Sequence, residues 1–126
     1  MRARDDRGAA SILVLGVGLV LIALGAAGAA VGTARVARHQ AGVAADFGAL
    51  AGGRHVIESE AAACAVARRY VEANGARMTG CAVTGLDIVV RTEVPVGVVP
   101  ASAEAASRAG PVSASAGGVL EQALLR

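Results

Sequence analysis

The feature that most constrains this chain is the uncharged run from Gly8 to Ala34, whose only polar side chains are Ser11 and Thr33. As a helix rising about 1.5 Å per residue it exceeds the roughly 30 Å of a bilayer's hydrocarbon core. A core helix of a soluble domain is the competing reading. A chain of 126 residues is too short to surround so long an apolar segment. The run is therefore read as a membrane helix over 9–34, preceded by a charged cytoplasmic tail at 1–8.

Basic residues hardly decide its orientation. Arg2, Arg4 and Arg7 precede the run and Arg35 and Arg38 follow it, so the two flanks are nearly balanced. The short tail and the only two cysteines, Cys64 and Cys81, favour a cytoplasmic N-terminus with the rest outside the cytoplasm. There an even pair reads as a disulfide. It would close a loop of about 17 residues and contribute about 3 kcal/mol. That matters here, because the apolar residues are mostly Ala, Val and Leu, with one Phe, one Tyr and no Trp. Such a core is thin, since aromatic side chains bury the most area each.

Beyond the bilayer the chain continues without a proline as RVARHQAGVAADFGALAGG. Val36, Val43, Phe47 and Leu50 recur at helical spacing and form an apolar stripe, with Gly52-Gly53 as the expected stop. This gives an amphipathic extension over 35–53. Within the lipid segment Ser11, Gly18, Gly25 and Gly32 recur every seventh position, and Gly28 with Gly32 forms GxxxG. Small residues let helix backbones approach closely in a membrane, so these positions are read as helix-packing sites.

A second helix is expected over about 56–74, capped by Ser59 and ended by Asn74-Gly75. The period then changes. RMTGCAV and LDIVVRTEVPV alternate and carry β-branched residues, a hairpin signature. Met78, Gly80 and Ala82 are expected on one face of the first strand and Cys81 and Val83 on the other. In the second strand Ile88, Val90, Thr92 and Val94 oppose Val89, Arg91 and Glu93, and Cys81 can face the second helix. ASAEAASRAGPV suits a third strand or a helix, with the strand preferred. The whole is an α+β chain: a long N-terminal transmembrane helix continuing as an amphipathic helix, a second helix, then a small antiparallel hairpin or three-stranded sheet. Residues 54–110 form a small extracytoplasmic domain and 111–126 a mobile tail.

No catalytic constellation stands out. The carboxylates are scattered, no serine lies in a nucleophile elbow, and the cysteines lack CxxC spacing. His39 and His55 show no ligand spacing, so no metal or other cofactor is expected. A net charge of +2 gives no footprint for nucleic acid, and nothing points to a small-molecule substrate.

Taken in order, RGAAS before the apolar run, ARHQAGVAADFGALA after it and Cys64…ANGARMTGC ending at Cys81 carry a resemblance, with SRAGPV as a weaker fourth piece. Over about residues 7–112 the chain resembles the TadE-like proteins of Flp/Tad pilus systems. More narrowly it is similar to the actinobacterial TadE-like group encoded beside a helicase and secretion genes. The resemblance implies a minor, non-catalytic pseudopilin-like component of a pilus or related secretion machine, meeting other subunits through its transmembrane helix. In that family a prepilin peptidase cuts after a glycine ahead of the apolar helix. Gly8 takes that place, with Ala9 becoming the first residue. The family's glutamate at the fifth mature position, linked to subunit assembly, is here Leu13. Two other readings compete. One is a secreted effector released by cleavage at Ala27-Gly28-Ala29, before Ala30. The other is a membrane-tethered binding domain unrelated to pili.

Overall fold

A computed structural model of the chain describes residues 6–97 and 99–111. Most of the expected charged tail at 1–8, and the mobile tail expected at 111–126 beyond Pro111, lie outside the described residues. The elements are α1 (Asp6–Gly53), α2 (Glu60–Ala73), β1 (Arg77–Thr84), β2 (Asp87–Pro95) and β3 (Ser102–Ala109). The chain divides into two compact units, residues 1–35 and 36–126. In the first, α1 is exposed at almost every position from Gly8 onward, including Leu15, Leu19 and Ile22. It is long and apolar enough to cross a membrane.

The second unit is α+β. Its sheet has the order β1-β2-β3, antiparallel throughout. β2 is the central strand and buries Ile88, Val90, Thr92 and Val94. These pack with Ala37, Ala41, Ala44 and Ala49 of α1 and with Ala63, Ala67 and Val71 of α2. The opposite face of the sheet carries Arg91, Glu104 and Arg108, all exposed. The alternation of one apolar and one polar face is what a sheet solvated on one side requires. The third strand resolves the ambiguity of ASAEAASRA: its residues pair with β2 in unbroken register from Ile88↔Ala109 to Pro95↔Ser102.

The helix ends follow local chemistry. Ser59 has extended backbone and its Oγ accepts from the Ala62 amide at 3.0 Å, capping α2. The second helix therefore starts at Glu60 rather than near residue 56. The residues before it, 54–58, form turns, with the His55 amide bonded to the Gly52 carbonyl. At the other end Gly75 takes φ +75°, and the Ala76 amide bonds back to the Val71 carbonyl at 3.2 Å, the pattern of a Schellman cap. Gln40 of α1 donates to the Asn74 carbonyl at 3.2 Å and braces this cap.

Two expectations about which side chains face inward are corrected. The stripe Val36, Val43, Phe47 and Leu50 is not the packing face of α1: Val36, Phe47 and Leu50 are exposed, and Val43 is half-buried. The face that packs is made of alanine and glycine, because the helix lies too close to its neighbours for larger side chains. In β1 the register shifts between Met78 and Gly80. Thr79 is the extra residue of a bulge, so Met78 joins Cys81 and Val83 on the core side instead of opposing them.

Among the described residues Thr92 is the one buried polar side chain, and its Oγ1 donates to the Ala41 carbonyl at 2.7 Å. Thr92→Val keeps the shape and removes the bond. Ala41's carbonyl retains its helical partner, so the expected loss is modest, about 1 kcal/mol, or a fall of roughly 5 °C in the unit's melting temperature. Thermal unfolding of the full chain in detergent micelles measures it; an unchanged midpoint would show the bond to be neutral.

Candidate functional site

The residues read as an assembly site lie along the N-terminal part of α1. Gly8, Ala9, Ser11, Gly25, Gly28 and Gly32 are exposed there, and Gly18 is half-exposed. A Cβ built at Gly8, Gly18, Gly25, Gly28 or Gly32 would meet nothing within 4 Å. The chain's own packing therefore places no demand on these glycines. Thr33, the polar residue near the end of the run, turns its hydroxyl back onto the Ala30 carbonyl at 2.9 Å. A hydroxyl bonded this way leaves no unsatisfied donor facing lipid. Leu13 is 67% exposed, an outward-facing apolar position on α1.

The second unit contains a small-residue contact that the sequence reading missed. In α1 the alanines 37, 41, 45 and 49 lie four apart, and so do Ala44, Gly48 and Gly52. All are buried. A Cβ on Gly48 would stand 2.7 Å from Val71 Cγ2 and 3.2 Å from the Ala67 carbonyl oxygen. At Gly52 it would stand 2.8 Å from the Ala63 carbonyl oxygen and 2.7 Å from Ile88 Cδ1. Here α1 and α2 meet almost backbone to backbone. The signal was present as two parallel rows spaced by four, the spacing that forms a packing ridge. The larger residues Val36, Phe47 and Leu50 drew attention to the wrong face. Those larger residues remain outside, where Phe47, Leu50, Val66 and Tyr70 line a shallow groove with Arg54 and His55.

Cys64 of α2 and Cys81 of β1 are joined in a disulfide, with Cα atoms 5.9 Å apart. The bond ties the helix to an edge strand of the sheet. His55 pairs with Glu58 at 3.0 Å, both side chains partly in solvent. Arg77 pairs with Glu93 and Arg108 with Asp87 on the outer face of the sheet. Among the described residues no three His, Cys, Asp or Glu side chains cluster as a metal site would need. Chemically the second unit is a small scaffold stapled by one disulfide, and the first is a long apolar helix with gaps along its surface.

No curated protein and no solved structure matches the chain. Residues 8–55 match the model of the family described as "Putative Flp pilus-assembly TadE/G-like", so the chain is similar to that family over this segment.

Proposed function

We propose that this chain is a membrane-anchored, minor pseudopilin-like component of a Tad/Flp pilus or a related secretion apparatus. The observation that carries the reading is the coincidence of the family match at 8–55 with a helix long and apolar enough to cross a membrane once. In this reading the N-terminus is cytoplasmic, and the disulfide-bonded unit lies outside the cytoplasm, where its cysteines can oxidise. The chain acts by contact, not catalysis. Its partners are other pilus or secretion subunits, met through Ser11, Gly18, Gly25, Gly28 and Gly32, whose lack of bulk admits a neighbouring helix. Leu13 in place of glutamate removes the charge linked to pilin assembly, which favours a component that stays in the membrane over one that enters a fibre.

Processing is the test. Prepilin peptidase cleavage after Gly8 gives a mature chain that begins at Ala9, and N-terminal sequencing of the protein purified from membranes is expected to find that start. Gly8→Leu is expected to leave the intact chain. An unprocessed Met1 in the native protein would leave a plain anchor. A start at Ala30, with the protein in the soluble fraction, would replace this function with secretion.

A further inference from the structure

We propose that β3 is an intermolecular edge, and that its partner is β3 of a second copy of this chain, paired antiparallel about Ala106. The sheet has two edges, and they differ. β1 is interrupted by the bulge at Thr79, a device that turns an edge away from further pairing. β3 has no bulge, no proline and no lysine, and it holds register with β2 along its whole length. Among the described residues nothing pairs with its outer side. Its side chains are mostly alanine and serine, so a second backbone can approach without obstruction.

The charges select the occupant. β3 carries two, Glu104 and Arg108, both exposed on the outer face of the sheet. In an antiparallel pair centred on Ala106, each Glu104 stands opposite the second copy's Arg108, twice over by symmetry. Ala106 faces its own counterpart, and Ala103 faces Ala109. This is an isologous, closing contact. It also resolves a mismatch within the chain. Glu104 lies directly across from Glu93, a like-charge pairing that is unfavourable in a sheet. Glu93 is matched by Arg77 and by the Ser102 hydroxyl. Among the described residues Glu104 makes no ion pair, whereas Arg108 holds Asp87 and has further donors to offer.

The full chain in detergent micelles is expected to show a monomer–dimer equilibrium by sedimentation. Glu104→Arg and Arg108→Glu should each raise the dimer dissociation constant about tenfold, since each disturbs two symmetric pairs. The double exchange E104R/R108E should restore it. Under mild oxidation A106C should form a cross-linked dimer, because paired Cα atoms stand about 5 Å apart. A103C, which faces Ala109 rather than itself, should not. A monomer at all concentrations, a dimer indifferent to both charge reversals, or equal cross-linking at 103 and 106 would each overturn the proposal. The cross-links read the β3 contact separately from N-terminal processing, so this can fail while the pilus reading stands.

Discussion

Gly52→Leu is expected to destabilise the second unit by about 3 kcal/mol, lowering its melting temperature by roughly 15 °C. Two opposed effects meet at this position. Leucine is the better helix former by nearly 1 kcal/mol, so propensity alone predicts a gain. Against it stands the contact with α2. The first atom of any side chain would lie 2.8 Å from the Ala63 carbonyl oxygen, which is backbone and cannot rotate aside, and 3.1 Å from the Ala67 Cβ. The helices must separate, and the fully buried Ile88 loses its seat between them. Overpacking wins by magnitude. Gly25→Leu is the control, because a Cβ there meets nothing within 4 Å. Hydrogen exchange of the Ile88 and Val90 amides in micelles reads the second unit without interference from the long helix. Protection lost in Gly52→Leu and kept in Gly25→Leu is the expected pair of results. Equal protection in both would mean that α1 and α2 do not meet as closely as described.

Much of this architecture is legible from residue order alone, and the misreadings share one cause. The uncharged run announces α1, Ser59 and Asn74-Gly75 mark the limits of α2, and β-branched alternation marks β2. Each depends on a local preference that tertiary packing does not oppose. What fails is the assignment of faces. A stripe of Val, Phe and Leu is the usual sign of a buried surface. Here helix α1 comes so near α2 and β2 that only Ala and Gly fit, and the larger residues are left outside. The bulge at Thr79 is hard to read for a related reason: an extra residue inverts the alternation after it, and the one mark in RMTGCAV is the neighbouring Gly80, which strands also carry without a bulge. Among the described residues nothing lies within 4 Å of a Cβ built at the candidate assembly glycines, so the fold of the chain itself gives no reason for them.

Breaking the Cys64–Cys81 bond is expected to cost the second unit about 3 kcal/mol, again roughly 15 °C in melting temperature, whether by reduction or by the double Cys→Ala substitution. The size of the effect follows from what else holds α2 in place. Its buried side chains are Ala63, Ala67 and Val71, and among the described residues the largest fully buried ones are Ile88, Val71, Val90 and Thr92. Alanines bury little area each at about 25 cal/mol per Å². A core so lean depends more on limiting the freedom of its unfolded chain, which a loop of about 17 residues does. Reduced wild type and the double variant should melt together, and reduction should leave the variant unchanged. A wild type whose midpoint ignores reductant would place the stability in the Gly48 and Gly52 contacts instead, and Gly52→Leu should then unfold the unit outright. If both losses appear at the expected size, their sum approaches the total stability of a small domain. The combined variant should then be unfolded at 25 °C even though each single change is tolerated. That outcome would mean the close helix contact and the disulfide are separate supports for one α+β scaffold, either of which suffices to keep it folded at 25 °C.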